Sequence, residues 1–225
     1  MECGCTPKCN QRFIKTHYLT IKVKTCTKLI ILFILVLLSD LSIYAATPHI
    51  DTSRTKQKAR QALIFCKQKG YNTNYCILID MGLPSGVKRF MVWDFRKNTL
   101  LISGLVSHGC GINPWSGIWS KDKPIFSNEA NSHCSSLGKY LVNNRAASAW
   151  GIRVKYYLRG LEKTNRNAYV RDVVLHSWEQ VPDNEVYPNG TPEDWGCPAV
   201  SNNTMKLVDA LLRKQKKHLL LWTYN

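Results

Sequence analysis

The sequence predicts a mainly β domain with one helix ahead of the strands and another near the end of the chain. Short apolar runs rich in β-branched and aromatic residues are separated by turns that contain Gly, Pro or Asn. These runs are residues 75–81, 89–95, 99–106, 152–158, 171–176 and 219–224. Two other segments carry apolar residues at helical spacing, and no internal repeat is present. We therefore expect one domain.

Capping residues and apolar spacing set the ends of the two predicted helices. Thr52 or Ser53 is expected to cap the first helix, and Gly70 to stop it after Lys69. Asn203 is expected to cap the last helix. The residues expected to face the core are Ala59, Ala62, Leu63 and Cys66 in the first helix and Leu207, Val208, Leu211 and Leu212 in the last.

Residues 1–46 are predicted to be a basic leader, and residues 47–225 the folded domain. The leader contains the uninterrupted apolar run Leu29–Leu38, with lysines before it and Ala45 and Ala46 after it. Such a run is short for a bilayer crossing and typical of a signal peptide, although extension through Ile43 would allow an uncleaved anchor. We expect export to the periplasm or cell envelope.

The charge balance predicts an anionic partner. The formal net charge is +16, with 31 Lys and Arg against 15 Asp and Glu. No helix-turn-helix, zinc-finger or RNA-binding signature is present, so we expect an envelope polymer or membrane surface and no nucleic acid. A solvated basic face without a specific partner is the alternative.

The cysteines after the leader are odd in number. They are Cys66, Cys76, Cys110, Cys134 and Cys197. In an oxidising compartment, the simplest hypothesis is two disulfides, Cys66 to Cys76 and Cys110 to Cys134, with Cys197 free. A buried reduced thiol at Cys66 is the alternative, because this residue lies on the apolar face of a predicted helix.

Two cysteines have the local pattern of a nucleophile. Cys197 follows Gly196, and a glycine before a thiol permits a tight turn with outward N–H groups for an oxyanion. His176 ends the apolar run before it and is a candidate base. Cys110 also follows a glycine, and a histidine, His108, lies two residues before it. The local patterns alone leave both thiols open.

Motifs in a fixed order extend over most of the chain from residue 59 onward. They are Val106–Gly109, Phe126–Asn128, Ser132, Ser135–Tyr140, Gly160–Glu162, Asn165, Asn167–Ala168, Arg171, Val173–His176 and Trp195–Val200. In this order and spacing the chain resembles the murein L,D-transpeptidase catalytic domain family, cysteine transpeptidases of peptidoglycan. The resemblance implies a β-sandwich or barrel with a flanking N-terminal helix and a helix after the cysteine.

The resemblance also implies a reaction and a catalytic pair. Cys197 and His176 match the nucleophile and base of the family, and the backbone N–H groups of Trp195, Gly196 and Cys197 would hold the oxyanion. The family forms 3-3 cross-links between peptidoglycan stem peptides through a cysteine acyl-enzyme. We therefore expect no cofactor and no metal.

A set of polar residues matches motif positions that would bind or position the stem peptide. These residues are Ser127, Asn128, Ser135, Ser136, Asn165 and Arg171, with His108 beside them. The alternative for each is a structural role, since polar side chains in turns commonly bind loop backbone. Three tryptophans, Trp115, Trp178 and Trp195, are candidate walls of the groove.

The chain departs from the family pattern at a few positions. Ser177 stands where glycine is common, Asp194 where serine is usual, and Cys110 and Cys134 where other residues are frequent. The Asp194 carboxylate would either raise the thiol pKa or orient a basic group of the substrate. The sequence leaves this choice open.

Three other functions compete with transpeptidation. Water in place of the acceptor amine would give an L,D-carboxypeptidase or hydrolase, and a non-catalytic protein would bind peptidoglycan through its basic surface. A metal site is the third. Its candidate ligands are His108, Cys110, His133, Cys134, His176 and Cys197, whose spacing does not match common metal motifs.

Overall fold

The computed structural model describes residues 48–112 and 123–225. The predicted leader, residues 1–46, therefore lies outside the described residues, as does Trp115. Residues Pro48–Asn225 form one compact unit. Neither of the helices found in the described residues is long and apolar enough to cross a membrane.

The elements confirm a mainly β fold with two helices. The helices are α1 (Thr52–Lys69) and α2 (Asn202–Leu212). The strands are β1 (Tyr75–Asp80), β2 (Phe90–Asp94), β3 (Thr99–Gly104), β4 (Gly138–Ala147), β5 (Val154–Gly160), β6 (Val174–Ser177), β7 (Ala199–Val200) and β8 (Leu220–Tyr224). As predicted, one helix precedes the strands and the other follows Cys197.

The eight strands form one sheet that nearly closes on itself. Their order is β3-β2-β1-β8-β4-β5-β6-β7, with parallel pairing between β1 and β8 and between β6 and β7. Val106, shortly after one edge strand, forms a bridge with Val200 of the other edge strand. This bridge brings the two edges together, as the predicted sandwich or barrel requires.

Both faces of β1 are buried, which explains its unbroken apolar sequence. Ile77 and Ile79 point into the main core inside the curved sheet. Cys76 and Leu78 point outward to a second core, where they meet the buried residues of α1, among them Ala62. Because side chains alternate along a strand, one run supplies both layers.

The N-cap of the first helix lies one residue before the two predicted caps. Asp51 is its N-cap, and its carboxylate accepts the N–H groups of Ser53 at 2.8 Å and Arg54 at 3.1 Å. The prediction of Thr52 or Ser53 as the cap is therefore wrong, whereas Gly70, with φ +71°, ends the helix as predicted.

The last helix begins earlier than predicted as well. Ser201 is its N-cap and accepts the Thr204 N–H at 3.1 Å, so the prediction of Asn203 is wrong. Val208 and Leu212 are buried as expected, but Leu207 is 58% exposed and does not face the core. The buried face instead includes Met205, one turn before Val208.

Two strands were not predicted. In β4 the polar residues Asn143 and Asn144 interrupt the apolar run, and the register with β5 shifts between Val142 and Arg145. This bulge breaks the alternation on which sequence patterns depend. The second strand, β7, is only two residues long. A third difference is that β6 starts at Val174, later than the predicted start at residue 171.

The five cysteines in the described part of the chain are free. The predicted disulfides Cys66 to Cys76 and Cys110 to Cys134 are not formed in this structure, and all four residues are buried. Burial raises the pKa of the Cys66 thiol to about 12, which keeps it protonated. The alternative of a buried reduced thiol at Cys66 therefore describes that position.

Leu221→Ala is expected to destabilise the fold strongly. Leu221 is fully buried in β8, between β1 and β4, and truncation would leave a cavity that lowers the free energy of unfolding by about 2–5 kcal/mol. Leu207→Ala, at a 58% exposed position, should change it by less than about 0.5 kcal/mol. Denaturant unfolding of both variants checks this, and equal destabilisation would contradict the described core.

Candidate active site

Strand alternation in β6 brings His176 to a cavity. Leu175, like Val173 just before the strand, packs in the main core. Val174 and His176 point the other way and line a cavity of about 480 Å³. The alternation of side chains along β6 therefore places His176 in the cavity and its neighbour Leu175 in the core.

The cavity also contains Cys197, so the structure brings the two residues predicted as the catalytic pair to the same cavity. Its wall is built from several separate segments of the chain. The lining residues are Ser148, Ala149, Trp150, Lys155, Arg171, Asp172, Val174, His176, Trp178, Asp194, Trp195 and Cys197. A concave site that gathers a thiol, an imidazole and aromatic walls is a candidate for acyl-transfer chemistry.

The turn that carries Cys197 requires glycine before the thiol. Gly196 has φ +101°, a conformation that L side chains rarely adopt. A Cβ placed on Gly196 would overlap the backbone carbonyl of Cys134. The turn that carries Cys197 therefore packs directly against the segment at residues 134–135, and this contact explains why glycine precedes the cysteine.

The Asp194 carboxylate holds the same turn from the other side. Its Oδ1 accepts the Gly196 N–H at 2.7 Å, and its Oδ2 accepts the Ser107 hydroxyl. Its backbone pairs with the opposite segment, where its N–H donates to the His108 carbonyl at 3.0 Å. Burial raises the pKa of Asp194 to about 7. Both carboxylate oxygens face protein donors, which favours an internal role over orientation of a substrate amine.

The Cys197 thiol is held in its neutral form. Its Sγ accepts the Val174 N–H at 3.4 Å and lies 3.7 Å from the Asp172 carbonyl oxygen. Burial, and after it the charge of Asp194, raises the pKa of the Cys197 thiol to about 12.

The His176 imidazole is also neutral at neutral pH. Its Nδ1 lies 3.0 Å from the Ser177 carbonyl oxygen, and because a carbonyl only accepts, Nδ1 carries the proton. Nε2 then has the lone pair that a base needs. Burial lowers the pKa of His176. The pair is therefore a neutral thiol and a neutral imidazole, not a preformed ion pair.

The three N–H groups predicted to hold the oxyanion are not equivalent. The Gly196 N–H donates inward to Asp194, which removes it from a substrate oxygen in this conformation. This corrects the prediction for Gly196, because its donor completes the turn that positions the thiol. The expectation remains for the N–H groups of Trp195 and Cys197.

Arg171 lines the cavity but uses its guanidinium to hold the cavity wall. Its Nη atoms donate to the carbonyls of Ser127 at 3.0 Å and Cys134 at 2.7 Å. They also donate to the hydroxyls of Ser136 at 2.8 Å and Ser132 at 3.3 Å. Ser136 in turn donates to the Ser127 carbonyl at 2.6 Å. These contacts give Ser127, Ser136 and Arg171 a structural role.

Three other predicted substrate residues also bind the protein itself. Asn128 accepts the Asn167 N–H at 3.0 Å, and fully buried Asn165 donates to the Lys139 carbonyl at 2.8 Å. Ser135 is buried beside the turn that carries Cys197, where its Oγ accepts the Gly109 N–H at 3.1 Å. None of the three lines the cavity described above, so the structure favours the structural alternative for each.

His108 is buried behind the site and does not line the cavity. Its Nδ1 lies 3.0 Å from an Nη of fully buried Arg89, and its Nε2 lies 3.7 Å from Glu193. Burial, together with the charge of Arg89, lowers the pKa of His108 to about 3. The expected contact of His108 with substrate is therefore corrected to a place in a buried network.

Cys110, the other candidate nucleophile, is buried. Cys110 donates its backbone N–H to the Asp194 carbonyl at 2.8 Å, on the protein side of the turn. Burial raises the pKa of the Cys110 thiol, and Cys110 does not line the cavity. Of the described cysteines, Cys197 is the one that lines the cavity.

The described residues give no metal-binding cluster. No group of three or more His, Cys, Asp or Glu side chains within 48–112 and 123–225 is arranged to hold a metal ion. Of the six residues weighed as metal ligands, His176 and Cys197 line the cavity. His108, Cys110 and Cys134 are buried outside it, and His133 is half-buried. Trp178 and Trp195 do line the cavity, and exposed Trp195 stacks on His133 with ring centroids 5.0 Å apart.

Sequence reasoning did not single out Lys155, Asp172 or Trp150, which also line the cavity. A signal for Lys155 was present, because it alternates with the core residues Val154 and Tyr156 in a predicted strand. The pairing of that strand with the histidine strand could not be deduced from the alternation alone.

The comparisons with known proteins identify the family. A family model described as L,D-transpeptidase catalytic domain matches residues 47–224. The chain belongs to the family of L,D-transpeptidase catalytic domains. A search of curated proteins finds no match.

Several solved structures are distantly similar. The L,D-transpeptidase from Xylanimonas cellulosilytica is 14% identical, with a TM-score of 0.39 over 72% of this chain and 68% of that one. The helical cell shape determining protein Pgp2 from Campylobacter jejuni is 10% identical, with a TM-score of 0.39 over 67% and 47%. The Ldtfm-avibactam carbamoyl enzyme is 11% identical, with a TM-score of 0.40 over 68% and 49%. This chain thus spans about half the length of the last two.

Asp194→Asn is expected to make the Cys197 thiol more reactive. The variant removes the charge that raises the thiol pKa and keeps an oxygen that can accept the Gly196 N–H. At pH 8, alkylation of Cys197 by iodoacetamide should be about 3- to 10-fold faster. Asp172→Asn should give a smaller increase, because the Asp172 side chain is 69% exposed. Peptide mapping measures both rates, and slower alkylation of Asp194→Asn would contradict the assigned role.

Proposed function

We propose that the protein is a peptidoglycan L,D-transpeptidase that forms 3-3 cross-links through an acyl-enzyme on Cys197. The observation that carries the proposal is that Cys197 and neutral His176 line one cavity. Membership of the family supports peptidoglycan stem peptides as the substrate class. The predicted leader supports a reaction outside the cytoplasm, and the net charge of +16 supports contact with an anionic envelope surface.

In the first half of the proposed reaction, His176 removes the thiol proton as the sulfur attacks the donor amide. Because the thiol pKa is near 12, the proton leaves during attack and not before it. The C–S bond forms, and the N–H groups of Trp195 and Cys197 hold the developing oxyanion. The C–N bond then breaks, and His176 gives the proton to the departing amine of the terminal D-alanine.

In the second half, the side-chain amine of a neighbouring stem's diamino acid attacks the thioester. His176 takes a proton from this amine and returns it to the sulfur as the C–S bond breaks. The Val174 N–H, which already points at the sulfur at 3.4 Å, stabilises the thiolate at each stage. The product is a new amide, the 3-3 cross-link.

Incubation with purified tetrapeptide muropeptides tests this proposal. Mass spectrometry should find 3-3 cross-linked dimers with the wild type and none with Cys197→Ala. Cys110→Ala is the matched control and should retain the activity, because that thiol is buried outside the cavity. Tripeptides without dimers would show that water is the acceptor and contradict transpeptidation, and unchanged muropeptides would contradict catalysis altogether.

The pH dependence of kcat/KM should show that His176 acts as a neutral base. Burial lowers the pKa of His176 from its usual 6.5, so the base form persists to lower pH in the folded protein. The acid limb of the profile should therefore have its midpoint below 6.5, and activity should be lost as pH falls through that midpoint. A midpoint above 6.5 would contradict this assignment.

A further inference from the structure

Lys155 brings a positive charge beside the candidate base. In β5, Val154, Tyr156 and Leu158 point into the core, so Lys155 points to the opposite face. Lys155 is paired directly with His176 across the antiparallel β5–β6 ladder. Side chains of such a pair lie on the same face with Cβ atoms about 5 Å apart, and both residues line the cavity.

The local partner of Lys155 holds it loosely. Its Nζ lies 3.5 Å from Oδ1 of Asp172, a distance at the long end for an ion pair. The Asp172 side chain is 69% exposed, whereas that of Lys155 is 19% exposed. An ion pair with one solvated partner contributes little, so an incoming anion can replace Asp172 at small cost. The Nζ of Lys155 lies 4.8 Å from the centroid of the Tyr157 ring, which covers one side of the ammonium group.

The other charged groups of the cavity are committed to the protein. Both Nη atoms of Arg171 donate to backbone carbonyls and hydroxyls of the cavity wall. The two oxygens of Asp194 accept protein donors. Lys155 is thus the cation of the described cavity whose protein partner is most easily displaced.

We propose that Lys155 binds the carboxylate of the C-terminal D-amino acid of the donor stem peptide. This inference rests on the proposed function and names the subsite for the leaving group. The carboxylate is bonded to the carbon that carries the scissile amide nitrogen. Because Lys155 neighbours His176, an ion pair to that carboxylate places the departing amine next to the residue that protonates it.

Two tetrapeptide muropeptides that differ at one group test the subsite. One has a free C-terminal carboxylate and the other a C-terminal carboxamide, and acylation of Cys197 is followed by mass spectrometry. The wild type should have a KM about 10- to 100-fold lower for the acid than for the amide. The ratio of the two KM values is taken within each variant, so it does not depend on how much of the variant is folded.

Lys155→Met should bring the ratio of the two KM values near one, because only the acid loses a partner. Lys155→Arg should keep the preference for the acid, since it retains the charge. Lys206→Met, an exposed lysine on α2, is the matched control and should leave the ratio unchanged.

The outcomes separate this inference from the function on which it rests. Acylation of Cys197 in the wild type with an unchanged acid preference in Lys155→Met would overturn the subsite and leave the proposed function intact. Equal KM values for the acid and the amide in the wild type would likewise overturn the subsite and leave the proposed function intact. Absence of acylation with both peptides would overturn the proposed function, and the subsite with it.

Discussion

The close contact between Gly196 and the Cys134 carbonyl determines where the thiol of this protein lies. No residue with a Cβ fits there, and the turn has φ +101°. Arg171 holds the Cys134 carbonyl at 2.7 Å, and Asp194 holds the Gly196 N–H at 2.7 Å. The contact is therefore fixed from both sides, and the position of Cys197 in the cavity depends on residues that do not touch substrate in the proposed reaction.

The same arrangement governs the protonation of the site. The carboxylate that holds the turn lies close to the thiol, and its charge adds to burial in raising the pKa of Cys197. Burial acts in the opposite sense on His176 and lowers its pKa. In the proposed reaction, the thiol therefore keeps its proton until a substrate carbonyl is in place, and the neutral imidazole then accepts that proton. Asp194 thus positions the thiol and at the same time lowers the fraction of reactive thiolate.

Sequence patterns predicted the helices and strands that follow regular apolar spacing. They missed the strands whose course depends on tertiary contacts. The strands that contain Ile77 and His176 follow their apolar runs, whereas β4 contains a bulge before Arg145 that alternation does not reveal. The pairing of Cys197 with His176 came from the resemblance, since Cys110 has an equal local pattern. The structural use of Arg171 and the position of Lys155 depend on contacts between distant segments, which a single sequence does not display.

The central claim is that Cys197 carries the acyl group, and its most direct test is the site of the covalent adduct. The protein is incubated with a tetrapeptide muropeptide, trapped at low pH, digested and mapped by mass spectrometry. A mass increase equal to the tetrapeptide muropeptide less its departing D-alanine is expected on the peptide that contains Cys197, and none on the peptide that contains Cys110. An adduct on Cys110, or none on any cysteine while product still forms, would contradict an acyl-enzyme on Cys197.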